Sequence, residues 1–258
     1  MNPILLLHGF TGSSRSWDEV VSRLPADQPI FRPHLLGHGE AGDAARCFLA
    51  LPGGFEGEVG RIAGWLRSRT AEPVHLVGYS LGARVALGLA LRFPGQVGRL
   101  TLIGVHPGLA EAGQGGPPGA REERRALEER WIRMLREEGT DAFVQMFERL
   151  PLFASQRHLP PALLSRQRAL RRGQDALGLA LSLDQLGLSR MPCFARELPA
   201  LRIPLTLVVG GGDERFLRMA TQMKKEVEGA RLEVVAQAGH NVVLEQPAEI
   251  ADILRGRA

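Results

Sequence analysis

Short apolar runs alternate with stretches whose apolar residues recur every three to four positions, and this alternation organises most of the chain. Pro3 to Leu7 is a continuous apolar run that ends in His8-Gly9-Phe10-Thr11-Gly12-Ser13, the pattern of a buried parallel strand entering a glycine-rich turn. A helix is predicted from about Ser16 to Leu24, a second strand from Pro29 to His34, and a helix from Phe55 to Arg69 that carries Val59, Ile62, Trp65 and Leu66 on one face. The run containing Val74, Leu76 and Val77 predicts a strand, and the apolar-periodic run after Gly82 a helix. A strand follows at Arg99 to Gly104. Two more, Pro204 to Gly210 and Arg231 to Ala236, flank a helix around Phe216 to Val227, and the chain closes with a helix opening at Pro247, a first position where proline is tolerated. Strands alternating with helices predict an α/β fold: a mainly parallel sheet of about six or seven strands covered on both faces.

Between Gly108 and Ala195 the pattern changes. Gly113 to Gly119 reads as a glycine- and proline-rich linker, and Ala120 to Glu138, Thr140 to Arg149, Pro160 to Arg171 and about Gln174 to Leu183 read as helices. The expectation is a helical cap, 108–195, inserted late into a core made of 1–107 and 196–258.

Composition narrows the function. A chain of 258 residues with 44% hydrophobic content buries one sizeable core and is short for two independent domains. The formal charge is +4, but 28 acidic residues interleave with 32 basic ones and no dense basic block appears, so nucleic acid is not the expected partner. Lys224 and Lys225 are the only lysines, and the rest of the basic count is arginine, the side chain suited to forked carboxylate binding. Cys47 and Cys193 stand far apart without metal-ligand spacing and read as free thiols. The opening MNPILLLHGF has no basic n-region and only a very short apolar run, so neither a signal peptide nor a membrane span is expected and the expected location is cytoplasmic.

The candidate chemistry begins at Gly78-Tyr79-Ser80-Leu81-Gly82. In a G-x-S-x-G nucleophile elbow the serine sits at the strained apex between strand and helix, and the glycines remove Cβ atoms that would collide there. Ser80 is the candidate nucleophile or base, and the amide of Leu81, at the positive end of the helix, is a candidate oxyanion donor. A serine hydroxyl needs an imidazole to take its proton and an acid to orient that imidazole. Asp213 follows one late strand in Gly210-Gly211-Gly212-Asp213, and His240 follows the next in Ala238-Gly239-His240-Asn241. Residues just past the carboxyl ends of parallel strands converge on one crevice. Asp213 also has the placement of a helix N-cap, Glu214 is the competing acid, and His8, His38 and His106 are the competing histidines. His8 precedes the turn expected to supply a second oxyanion donor, the Phe10 amide, and reads as a structural hydrogen-bonding residue. His38, in a Gly-His-Gly turn, reads as fixing loop geometry or meeting substrate. Tyr79 either donates its hydroxyl to a ligand or packs. No histidine or cysteine cluster suggests a metal.

Together HGFTG, GYSLG, GGGD and AGHN, in that order, resemble the α/β-hydrolase superfamily over essentially the whole chain. The strand at Pro3 would be the superfamily's third, so its customary leading hairpin is not expected. Finer features resemble the 2-succinyl-6-hydroxy-2,4-cyclohexadiene-1-carboxylate (SHCHC) synthase family of menaquinone biosynthesis: GYSLGAR with Arg84, HPGL at His106 to Leu109, REERRALEERW at Arg121 to Trp131, LPLFAS at Leu150 to Ser155, RALR ending at Arg171, and GDERF at Gly212 to Phe216. That resemblance implies a lyase that eliminates pyruvate from a cyclohexene bearing several carboxylates, with no cofactor and no metal. It implies Ser80, His240 and Asp213 as the triad, Phe10 and Leu81 as oxyanion donors, and Arg84, Arg124, Arg171 and Tyr79 as substrate-binding residues. On pattern alone Arg124 and Arg171 would be solvated helix residues. The family's pattern has an aromatic pair before its P-[VL]-F-A-S segment, where this chain has Phe147 followed by Glu148. A serine hydrolase acting through an acyl-enzyme is the alternative with the same triad, and a binding protein on the same scaffold is a third reading that an intact triad disfavours.

Overall fold

The computed structural model describes residues 2–39, 52–110 and 117–256. Among the described residues six parallel strands form one sheet in the order β2-β1-β3-β4-β5-β6: β1 Ile4–Leu7, β2 Ile30–Phe31, β3 Val74–Tyr79, β4 Val97–Ile103, β5 Leu205–Gly210 and β6 Arg231–Val235. The helices that join or follow them are α1 Asp18–Val21, α2 Gly54–Arg67, α3 Leu81–Arg92, α7 Glu214–Glu226, α8 Val242–Glu245 and α9 Pro247–Arg255. Between β4 and β5 lie α4 Ala120–Phe147, α5 Pro161–Arg172 and α6 Ala176–Leu186, with no strand among the described residues. Among the described residues no helix is long and apolar enough to cross a membrane.

The inner strands are mostly apolar because both faces of the sheet are covered, and their apolar residues sort between two cores with the period of two that a strand imposes. Leu5 and Leu7 join the core that holds Val59 and Ile62 of α2, whereas Ile4 and Leu6 join the one with Trp17, Ile250 and Leu254. A third apolar cluster, built on Trp131, Phe143, Phe147, Phe153 and Leu183, sits among α4, α6 and the 3-10 turn Pro151–His158, and Phe10 packs against it from the β1 turn.

Two expectations are corrected. The helix predicted from Ser16 to Leu24 is a 3-10 turn, Ser14–Trp17, followed by the single turn of α1. Ser13 and Ser16 exchange bonds in a capping box that tightens the entry, and Leu24 N bonds back only to Val21 O before Pro25 stops the helix. The strand predicted over Pro29 to His34 pairs at only two residues, Ile30 and Phe31, because Pro29 and Pro33 have no amide to give the ladder. The two helices predicted as Ala120 to Glu138 and Thr140 to Arg149 lie within α4 and are separated, as expected, at Gly139, whose φ of 82° and ψ of −177° are not helical; the second ends at Phe147. Cys47 and part of the Gly113 to Gly119 linker lie outside the described residues. Cys193 is half-buried, its Sγ 3.6 Å from the Gly108 carbonyl oxygen.

The order of strands places a topological switch between β1 and β3, where parallel sheets open a crevice at their carboxyl ends. Leu7 pairs with Gly78, so the turn after β1 and the turn after β3 leave the sheet side by side. The start of α3 crosses there so tightly that a Cβ on Gly82 would overlap the Leu7 carbonyl, and one on Gly78 would overlap the Gly82 carbonyl. Gly82→Ala is therefore expected to destabilise the protein by about 2 kcal/mol or more, the scale of forced overpacking. A shift in urea midpoint corresponding to less than about 0.5 kcal/mol, within the range of neutral surface changes, contradicts this.

Candidate active site

Ser80 occupies the turn between β3 and α3 at φ 52° and ψ −108°, a strained conformation for a residue with a Cβ. Its amide donates to the Ile103 carbonyl at 2.9 Å and its carbonyl accepts from Arg84 N at 3.1 Å, so the backbone of β4 and the first turn of α3 hold it there. His240 Nδ1 donates to Asp213 Oδ2 at 2.9 Å. A carboxylate only accepts, which leaves His240 Nε2 as the acceptor for the Ser80 hydroxyl at 3.1 Å. The ring is further confined by Phe216, 4.4 Å between centroids, and by Gly104, where a Cβ would come 2.9 Å from His240 Cε1. Asp213 does both things its position allows: its other oxygen, Oδ1, caps α7 by accepting from Phe216 N at 3.3 Å. Glu214, with 83% of its side chain exposed, pairs with Arg218 at 3.4 Å and takes no part in this chain of bonds.

The loop that carries His240 is pinned at both sides. Gly239 N donates to the buried Glu245 Oε2 at 2.8 Å, and Asn241 caps α8 through Leu244 N at 3.3 Å. Opposite, the Gly9-Phe10 turn passes so close to Tyr79 that a Cβ on Gly9 would lie 2.7 Å from Tyr79 Cε1. Leu81 begins α3 directly after Ser80, and Phe10 follows β1 two residues beyond the buried His8. His106 accepts from Gly108 N through Nδ1 at 3.0 Å, and burial next to Arg84, Arg215 and Arg124 pulls its pKa down to about 3.

A cavity of about 50 Å³ opens on Ser80 and His240, lined also by Phe10, Tyr79, Phe153 and Arg171. It adjoins a cleft of about 360 Å³ between α5 and the 3-10 turn before α1, and the two share Ser16, Gln167, Val243 and Leu244. Tyr79 is buried, which raises its hydroxyl pKa well above the ordinary value, while nearby Arg171 acts the other way. Arg171 is far from the solvated residue its helical pattern suggests. Only 3% of its side chain is exposed, and the guanidinium lies over the Phe153 ring at 4.8 Å and the Phe147 ring at 5.7 Å. Burial lowers its pKa and Glu148 opposes that shift. Glu148 neither faces the cavity as a bare charge nor points freely to water: Oε1 accepts from Arg171 Nη1 at 3.2 Å and Oε2 from Arg168 Nε at 2.7 Å.

Arg84 and Arg124 form a separate group that does not line the Ser80 cavity. Arg84 Nη1 donates to the Leu186 carbonyl at 2.8 Å, and its pKa falls to about 10 through burial, with Glu128 raising it and Arg124 lowering it. Arg124 donates from Nε to Glu128 Oε1 at 2.7 Å and lies over Trp131 at 5.1 Å. Sequence reasoning passed over Glu128, a buried acid that also accepts from Leu188 N at 2.7 Å and Ser189 N at 3.2 Å. Its spacing of four from Arg124 on one helix was the available signal. Among the described residues no group of three His, Cys, Asp or Glu side chains is arranged to hold a metal ion.

The Alpha/beta hydrolase family model matches residues 4–253. The chain belongs to this family. Within it, the protein is 31% identical over 251 residues to the 2-succinyl-6-hydroxy-2,4-cyclohexadiene-1-carboxylate synthase of Enterobacter sp. (strain 638), covering 97% of this chain and 89% of that one. It superposes on MenH from S. aureus with a TM-score of 0.88 at 25% identity, over 99% of this chain and 92% of the other. A thermophilic esterase from Thermogutta terrifontis also matches, with a TM-score of 0.79 at 24% identity over 99% and 89% of the two chains, a likeness of fold.

Because Arg171 is buried, removing its carboxylate partner leaves a cation with no compensating charge. Glu148→Ala is expected to cost about 3 kcal/mol, measured by chemical denaturation, and the double change with Arg171→Met to recover most of it. A Glu148→Ala protein as stable as the parent contradicts the pairing.

Proposed function

We propose that this alpha/beta hydrolase-family enzyme is a lyase that eliminates pyruvate from 2-succinyl-5-enolpyruvyl-6-hydroxy-3-cyclohexene-1-carboxylate to give SHCHC. The observation that carries the reading is a closed Ser80–His240–Asp213 chain of hydrogen bonds beneath a cavity whose wall includes a buried arginine. Its likeness to relatives named for this reaction supports the choice of substrate.

In this mechanism His240, oriented by Asp213, accepts the Ser80 hydroxyl proton, and the serine oxygen removes an acidic C–H proton from the ring carbon next to the succinyl ketone. The carbonyl oxygen takes up the negative charge, and the amides of Phe10 and Leu81 hold it. As the new ring double bond forms, the C–O bond to the enolpyruvyl group breaks. The departing enolate takes up a proton to become pyruvate. A substrate with several carboxylates needs forked cationic partners. Arg171 meets one of them from the cavity wall and Tyr79 contacts the substrate beside the serine, while Arg84 and Arg124, gathered around Glu128 outside that cavity, are the partners that the motif resemblance implies for the others. Segment 108–195 acts as a cap over the core formed by 1–107 and 196–258, and it brings Arg171 to the cavity on Ser80.

A serine hydrolase, with Ser80 forming an acyl-enzyme, is the second reading, because the 3.1 Å contact of His240 Nε2 with Ser80 Oγ serves that chemistry equally. The two separate in a single pair of assays, pyruvate release from the enolpyruvyl substrate and turnover of simple aryl esters. Pyruvate release is expected to fall by a factor of about 10³ or more in Ser80→Ala and strongly in Arg124→Ala. Ester turnover with no pyruvate release selects the hydrolase.

A further inference from the structure

Two loops meet behind the Phe10 turn, one leaving β1 through His8 to Ser13, the other running from His34 to Gly39 after β2. Each holds the other through a histidine. Leu35 N, in the second loop, donates to His8 Nε2 in the first at 3.2 Å. Thr11 N, in the first loop, donates to His38 Nε2 in the second, also at 3.2 Å. Both rings spend their other nitrogen on a main-chain carbonyl: His8 Nδ1 lies 2.9 Å from Gly9 O and His38 Nδ1 3.0 Å from Leu36 O. Carbonyls only accept and amide N–H groups only donate, so both rings are neutral and both carry their hydrogen on Nδ1. The rings touch edge to face at 4.9 Å, and the Phe10 ring meets that of His38 at 5.6 Å and 87°.

Thr11 has φ 64°, and among the described non-glycine residues only Ser80 shares a positive φ. A β-branched residue persists there only where its surroundings over-determine it. Two bonds do so here: the amide hydrogen goes to His38 Nε2, and the hydroxyl donates to Phe10 O at 2.6 Å. We propose that His38, braced by His8, is a positioning residue of the active site, holding Thr11 in its left-handed conformation and thereby aiming the Phe10 amide at the oxyanion formed above Ser80. This rests on Phe10 as an oxyanion donor and holds whichever reaction produces the oxyanion.

Electrostatics keep both acceptors available. Burial brings the His38 pKa from 6.5 to about 4, opposed by its bond to the Leu36 carbonyl and aided by His34. Burial likewise takes His8 well below 6.5, with His38, His34 and Arg61 adding to the effect and the Gly9 carbonyl opposing it. Glu58 stands close by, accepting from Leu36 N at 3.0 Å and from Arg61. A proton on His38 Nε2 would remove the lone pair that Thr11 needs. With its folded pKa depressed, His38 contributes stability that is present above about 6.5 and is lost as the pH falls towards about 4.

Three measurements test the brace. In ¹⁵N spectra, His8 and His38 should each show a protonated Nδ1, a bare Nε2 and no titration between about pH 5.5 and 9, given their depressed pKa values. Phenylboronic acid, which adds to an active serine and places an oxygen at the oxyanion position, should bind His38→Ala at least about tenfold more weakly than the parent, and His38→Gln, which retains an acceptor, should recover most of that loss. With the substrate that the parent turns over, whether the enolpyruvyl compound or an aryl ester, His38→Ala should lower kcat about a hundredfold while KM changes by less than about threefold. An Nε2–H tautomer on either ring, or boronate affinity and kcat in folded His38→Ala within twofold of the parent, overturns the proposal. If His38→Ala does not fold, His38→Gln decides: parental boronate affinity and the Nδ1–H tautomer at His8 uphold it, and loss of both overturns it. A parent that releases no pyruvate counts against the proposed reaction alone, because the spectra and the boronate titration do not depend on it.

Discussion

The tight crossing of α3 over the ends of β1 and β3 is the constraint from which the site follows. It needs glycine at 78 and 82, because main-chain carbonyls already fill the space a side chain would take. That proximity forces Ser80 into its positive-φ turn and lifts its hydroxyl off the sheet. It also sets the Gly9-Phe10 turn against Tyr79, so the serine and the candidate oxyanion donors are positioned by one packing event rather than by separate ones.

Strain at one point is met by restraint around it. Ser80 is held through its amide and carbonyl by β4 and α3. Asp213 is locked as the cap of α7 before it reaches His240, so the carboxylate that orients the imidazole cannot swing without unfolding a helix end. Glu245 does the corresponding work for the backbone next to His240. Such doubly employed side chains make the site an outgrowth of the rigid scaffold, which is what preorganised catalysis requires.

Charge is managed differently at the two arginine groups. Arg171 lies over two aromatic rings and is tied to Glu148, whereas Arg84 and Arg124 gather around Glu128. Neither arrangement follows from the fold, because one scaffold can carry different side chains around its site. In a buried setting each guanidinium needs an acid or an acceptor close by, and the choice of acid decides how much positive charge remains for a ligand.

Much of this was legible in local patterns. Branched apolar runs mark the strands, GYSLG marks the elbow, and Asp213 and His240 each follow a strand at the end where parallel sheets gather their functional residues. Where proline interrupts, local reading overran: it extended β2 past Pro33 and drew the first helix too long. The partnerships were hidden, since Glu148 finds Arg171 across 23 residues and Leu35 finds His8 across 27, with no period to announce them. By itself the sequence determined the layered α/β architecture, the strained serine turn and the residue types available at each strand end, because these depend on spacing along the chain. Only the tertiary structure decided which acid holds which arginine, that Asp213 caps a helix and orients His240 together, and that two histidines lock opposing loops, because hydrogen bonds and burial depend on distances that folding alone creates.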